Sequence, residues 1–202
     1  MAGIYGDLLN LARNPGLEIW NQGTNTTTSA AEGPDMWVLG VGTGSTLNVS
    51  RASTGQDTGT FCAGIAYTHV ITSEIHQVAG LADMKLAANI SFGIRVASAT
   101  AACCRAWLSS DGGTTKSYSN FNTGAGATTY EQLKVESFAV ASGATAVWYG
   151  VEFVKTAAAI YLDTATLNVG SAVATVNAPQ FGKAAAWTQT SGATVRSVDM
   201  TG

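Results

Sequence analysis

Charge is what this sequence has least of. Only 11% of its 202 residues are Asp, Glu, Lys or Arg, against about 25% in an ordinary globular chain. The ten Lys and Arg are scattered from Arg13 to Arg196 without a run, and the formal net charge is -3. A nucleic-acid binder needs a clustered basic face, so no nucleic-acid partner is expected. Cysteine is limited to Cys62, Cys103 and Cys104, an odd number that cannot form a fully paired disulfide framework. Neighbours in a strand point to opposite faces, so Cys103 and Cys104 are poorly placed to pair with each other. All three read as small buried hydrophobes of a chain made in a reducing cytoplasm. No apolar run approaches the roughly 20 residues that cross a bilayer. The N-terminal stretch MAGIYGDLLNLARN also lacks the basic start of a signal peptide. A soluble chain without a membrane partner is expected.

Catalytic signatures are missing too. His69 and His76 are the only histidines. On one extended strand their spacing puts them on opposite faces, roughly 23 Å apart. No nucleophile elbow accompanies either of them, and with three cysteines they make too few ligands for a zinc site. Gly40-Val41-Gly42-Thr43-Gly44 is not followed by a helix that could aim its dipole at a phosphate. Glu18, Glu32, Asp35, Asp57, Glu131, Glu152 and Asp163 are the carboxylates available for sugar hydrolysis, and nothing in the sequence singles out a pair. No enzyme is expected, and no organic cofactor.

What the chain does have is alternation. Ile90, Phe92, Ile94 and Val96 alternate with Ser91, Gly93 and Arg95, the two-residue period of a half-buried strand. Cys104, Ala106 and Leu108 repeat the pattern against Cys103, Arg105 and Trp107. With the small residues 97–101 as a joint, the two stretches read as neighbouring strands at the centre of one sheet. Further strands are expected at 37–41 and 46–51, joined by a hairpin turn at 42–45, and at 61–71 with an extension through 72–77. Others follow at 116–121, 131–140, 146–154 and 158–169. Val147, Tyr149, Val151 and Phe153 form one face of their strand, opposite Trp148 and Glu152. Eight to ten short strands separated by turn signals predict an all-β sandwich of two antiparallel sheets, and no long helix. The sandwich is expected over 14–171. An apolar arm over 1–13 precedes it, and an extended tail or edge strand over 172–202 follows.

Several phrases then fall into a known order. Asn14-Pro15-Gly16-Leu17-Glu18-Ile19-Trp20, Asp35-Met36-Trp37, and Ser45-Thr46-Leu47-Asn48-Val49-Ser50-Arg51 open the series. Tyr118-Ser119-Asn120-Phe121-Asn122-Thr123-Gly124 and Tyr130-Glu131-Gln132-Leu133 continue it, and Ile160-Tyr161-Leu162-Asp163-Thr164-Ala165-Thr166-Leu167 closes it. Together they resemble the jelly-roll domains of bacteriophage fibre and virion proteins, a layout shared with carbohydrate-binding-module-like, galactose-binding jelly rolls. The phrase at Asp35 departs from the pattern, because Met36 stands where those domains carry Arg.

The resemblance implies a virion surface protein: a capsid decoration, a head fibre or a tail-fibre component. Its partners would be the major capsid protein or neighbouring fibre subunits, and a homo-oligomer, with a trimer suiting particle symmetry, is implied. Ile4, Tyr5, Leu8, Leu9 and Leu11 would then anchor the arm to a subunit or capsid, the other reading being a lid on the chain's own core. A carbohydrate-binding module recognising host or environmental polysaccharide is the alternative function. For a glycan, Trp107, Tyr118, Phe121 and Trp148 are the candidate contacts, because both tryptophans lie opposite the apolar faces of their strands. The competing role for these rings is in a core or subunit contact. Related jelly rolls also carry a structural calcium where the first strand meets the last. That likeness puts Glu18 and Asp163 at such a site, with hydrogen bonding to backbone as the other role open to them.

Overall fold

The computed structural model describes residues 10–21, 25–27, 31–81 and 89–173. Among them are eleven strands and no long helix: β1 (Asn25–Thr26), β2 (Val38–Gly40), β3 (Thr46–Ala52), β4 (Cys62–Thr68), β5 (Ser73–Gly80), β6 (Asn89–Ser98), β7 (Cys104–Ser109), β8 (Ser117–Tyr118), β9 (Gly126–Ala139), β10 (Ala146–Phe153) and β11 (Ala157–Val169). They form a six-stranded sheet in the order β1-β3-β4-β11-β6-β9 and a five-stranded sheet in the order β2-β5-β10-β7-β8. Every pairing is antiparallel. This is a jelly-roll β-sandwich.

The alternation that marks β6 does what it predicts. Ile90, Phe92, Ile94 and Val96 are fully buried between the sheets, as are Val147, Val151 and Phe153 of β10 opposite them. Rings lock the layers together: Tyr149 meets Phe92 at 5.1 Å between centroids and Trp37 edge-on at 6.1 Å. Each such pair adds about 0.5–1.5 kcal/mol beyond the area it buries. In β11 the inward set shifts from Ile160 and Leu162 to Ala165 and Leu167. The shift comes from a bulge between Asp163 and Ala165, with Thr164 at φ 42°. One extra residue flips the phase, keeping the second half of the strand in the core and sinking Asp163 completely.

Three expected adjacencies are corrected. β6 and β7 are not neighbours in one sheet, because the small residues 97–101 carry the chain from one sheet to the other. The turn at 42–45 likewise joins β2 and β3 of different sheets, and 69–72 separates β4 from β5. Alternation reports which side of a strand is buried, and both sheets of a sandwich share one buried layer. Pattern alone therefore cannot assign a strand to a sheet. His69 and His76 consequently do not share a strand: His69 Nδ1 lies 3.0 Å from the Tyr67 hydroxyl, and His76 belongs to β5.

Residues 10–15 are part of the sandwich rather than of a separate arm. The Leu11 N–H donates to Leu167 O, Asn10 bonds both Ala165 O and the Leu167 N–H, and the Ala165 N–H donates to Pro15 O. This segment continues the ladder where β4, paired only as far as Leu162, leaves β11 without a partner. Leu11 packs partly buried on the chain's own core, as the lid reading of the arm expects. Ile4, Tyr5, Leu8 and Leu9 lie outside the described residues, as does the expected tail after Val173.

Candidate functional site

The outer face of the five-stranded sheet collects the residues that alternate with the core. The register of β10 with β5 and β7 sets Glu152 beside Glu74 and Arg105, Gly150 beside His76 and Trp107, and Trp148 beside Val78 and Ser109. Tyr118 of β8 extends the row from Trp107. A sheet in a sandwich buries one face in the core, so these outward residues are free for another purpose.

Glu74, His76, Arg105 and Glu152 of this face join Lys116 in an ionic network. Glu152 is only 3% exposed, and Arg105 reaches its Oε1 with Nε at 2.6 Å and Nη2 at 2.5 Å. Lys116 Nζ bonds Glu74 Oε2 and lies 3.9 Å from Glu152 Oε2. His76 Nδ1 sits 3.3 Å from Glu74 Oε1. Burial pushes the Glu74 carboxyl up, but the adjacent His76 and the Lys116 ammonium outweigh it and hold the group below the ordinary carboxylate range. Aromatic faces cover the cations: the Arg105 guanidinium lies 3.5 Å from the Tyr118 ring centre and 4.8 Å from that of Phe121, and Lys116 Nζ lies 4.1 Å from that of Trp107. Cation–π contacts of this kind are strongest where water is excluded. Above the network runs an open groove of about 510 Å³, floored by these charges and walled by Ile71 on one side and Tyr118 on the other.

Of the residues expected to contact a sugar, Tyr118 lines the groove and Phe121 lies beside it against the Arg105 guanidinium, each 40% exposed. Trp148 is partly exposed on the same face. Trp107 is the exception in exposure. It does point out of the sheet, but only 1% of it reaches solvent, because Lys116 covers its ring. Glu74, His76, Arg105 and Lys116 are site residues that sequence reasoning missed. Arg105 and Glu152 carried a readable signal, since each alternates with core residues in a strand.

Glu18 and Asp163 are brought to one loop, 53–61, and not to each other's oxygens. The N–H groups of Thr60 and Phe61 donate to the two Glu18 oxygens at 2.7 and 3.0 Å. Those of Asp57 and Thr58 donate to Asp163 Oδ2 at 2.8 and 3.0 Å, and Thr164 donates to Oδ1. Burial still outweighs these donors and pushes the Asp163 carboxyl up to about 6. N–H groups turn their positive ends toward the oxygens a calcium ion would need, and no group of three His, Cys, Asp or Glu able to hold a metal stands together among the described residues. The residues present fit a backbone clasp rather than a cation cage. Asn14 and Asp35 are clasps of the same kind: Asn14 Oδ1 accepts the N–H groups of Glu18 and Ile19, and Asp35 Oδ1 that of Asn21.

No protein-family model matches the chain. No curated protein matches its sequence. Solved structures match in shape. The carbohydrate-binding module TmCBM61, solved with β-1,4-galactotriose, superposes with a TM-score of 0.52 at 16% identity, covering 79% of this chain and 97% of the module. A CBM4 structure gives 0.52 at 14% identity, over 77% of this chain and 97% of that one. The enzymatically active domain of tailspike protein 4 from bacteriophage CBA120 gives 0.54 at 11% identity, over 79% of this chain but 21% of that one. At such identities the likeness is one of fold, and the fold is the β-sandwich of carbohydrate-binding modules.

Proposed function

We propose that this chain is a carbohydrate-binding module whose site is the groove on the five-stranded sheet, and that it holds a sugar chain without cleaving it. The carrying observation is the pairing of exposed rings, Tyr118 and Phe121, with a floor of fixed hydrogen-bonding charges. Sugars present both apolar C–H faces and hydroxyls, and such a surface meets both. Two carboxylates face two cations on that floor, which suits a neutral glycan better than an acidic one. Glycoside hydrolysis needs one carboxyl raised to act as acid. Glu74 is held low and Glu152 is tied to Arg105, so binding is the better reading. Titration with neutral oligosaccharides of β-1,4-linked galactan and xylan, followed by calorimetry, tests it. Binding that Tyr118→Ala weakens at least several-fold supports the site, and silence across these sugars and a wider glycan array removes it.

A second reading concerns where the module works. Asn14, Glu18, Asp35 and Asp163, which clasp the sandwich, are among the residues of the phrases that resemble bacteriophage fibre and virion domains. On this reading the module is displayed on a virion surface as a homo-oligomer, attached to capsid or fibre subunits. The solution mass of the protein with and without residues 1–9 tests it. An oligomer that dissociates on truncation supports attachment through that segment, and a monomer in both cases counts against it.

A further inference from the structure

Trp107 is an anomaly on the proposed glycan face. Like Trp148 it is a tryptophan of the outer layer, yet it is almost entirely buried, and its indole N–H has no hydrogen-bond acceptor. A buried donor without a partner is costly, and native structures keep few of them. The core does not need this ring, because it stands on the opposite side of β7 from Ala106 and Leu108.

What covers the ring is local. Lys116 lays its ammonium over one part of it at 4.1 Å, and the His76 ring lies 6.1 Å away, centre to centre. The loop 110–116 that delivers Lys116 is tied mainly to itself. The Asp111 carboxylate accepts the Thr115 N–H, and Ser109 Oγ bonds Asp111 and the Gly113 N–H. Gly112 and Gly113 at its tip have φ of 76° and 82°. A Cβ on Gly112 would meet nothing within 4 Å, and one on Gly113 would touch only Lys116 and Trp107. The tip therefore packs on little besides the ring it shields, and the loop is held by Ser109 at the end of β7, by the Lys116 ion pairs and by the bond from the Ala141 N–H to Ser110 Oγ.

We propose that Trp107 is a covered sugar subsite and that the Lys116 ammonium, held there by Glu74, is the cover a ligand displaces. The inference rests on the glycan reading and adds a residue and a gate to it. The ligand class is a neutral pyranose, whose C–H face takes the place of the cation on the ring and whose hydroxyl accepts the indole N–H. Displacement leaves Lys116 with its partner Glu74, so no buried charge is stranded. The subsite continues the groove, because Lys116 lines both.

The test follows the Trp107 indole N–H resonance and the affinity for the same galactan and xylan oligosaccharides. It compares the full chain with Lys116→Met, which keeps the stem and removes the charge. In the unaltered protein, sugar should shift that resonance as an acceptor arrives. Lys116→Met should bind roughly tenfold more tightly, since removing a competitor worth about one cation–π contact has that effect. Adding Trp107→Phe should erase the gain. If sugar binds but the resonance stays still and Lys116→Met binds no more tightly, the covered subsite is wrong and the glycan site stands. If no sugar binds to either protein, both readings fall. Should Lys116→Met not fold, the resonance in the unaltered protein decides alone.

Discussion

Acidification should stabilise this protein before it destabilises it, and Asp163 is the reason. The carboxyl is fully buried at the β11 bulge and is pushed up to about 6 against an ordinary value of 3.8. A raised folded-state value means that the native chain holds the proton more tightly than the unfolded one. Its contribution to stability is therefore complete below the unfolded value and is lost as pH rises through the folded one. Moving from pH 7.5 to pH 5 crosses most of that window, and the linkage relation gives a gain of about 1–1.5 kcal/mol. For a domain of this size that is about 3–5 °C in melting temperature. Glu74 works the other way, since its lowered value favours the fold until the carboxylate protonates, but that loss falls below about pH 4.5. Stability should thus peak near pH 5. The assay is a series of thermal melts from about pH 8 to about pH 3.5 on the unaltered chain and on Asp163→Asn, which mimics the protonated acid in size and charge. The difference between the two curves isolates Asp163 from every other titrating group. Curves that run parallel between pH 7.5 and 5 would refute the assignment.

Three further outcomes follow from the same contacts. Glu152→Gln should cost about 2–3 kcal/mol in chemical denaturation, somewhat below the usual 3–5 for a broken buried pair, because Arg105 keeps its stack on Tyr118 and some solvent; a loss under about 0.5 would show that the pair is immaterial. Chelator should leave the melting temperature unchanged, since Glu18 and Asp163 are committed to N–H donors, and a drop of several degrees would restore the calcium expectation. The hydrogen bond from Cys104 holds the Cys103 thiol down to about 7, a nucleophilic value, but both are buried along with Cys62. A thiol reagent should therefore label none of the three faster than the protein unfolds, and rapid labelling of any one would contradict the packing.

The fold was legible where one side of a strand is apolar and the other is not. Ile90 to Val96 and Val147 to Phe153 fill the buried layer the alternation called for. The sheet to which each strand belongs was not legible. That depends on the connections at 42–45, 69–72 and 97–101, whose small and polar residues look the same whether the chain turns back beside itself or crosses to the facing layer. The bulge at Thr164 was not legible either: the stretch 158–169 reads as one strand, and a single inserted residue changes the phase without any glycine or proline to mark it. The role of the arm was half legible. Its apolar residues signalled docking, but only the unpaired length of β11 shows that Leu11 docks on its own chain.

The candidate site shows why composition misleads about function on a sandwich. With so few charges in the chain, the sequence suggested aromatic rings as the working groups and treated the ions as incidental. The fold reverses the emphasis. Arg105, Lys116, Glu74 and Glu152 come from four separated stretches and meet on one face, a convergence that only the register of β5, β7 and β10 creates. Scarcity makes the convergence more telling, because four of the chain's 23 charged residues (10 basic and 13 acidic) stand in a single network under a groove. Buried ion pairs seldom repay their desolvation as stability alone. Their value here is in fixing direction: Arg105 and Lys116 are held against aromatic faces, and the carboxylates are held where a hydroxyl can donate to them. An outward tryptophan under a lysine belongs to the same arrangement, and its uncovering is the step on which affinity should turn.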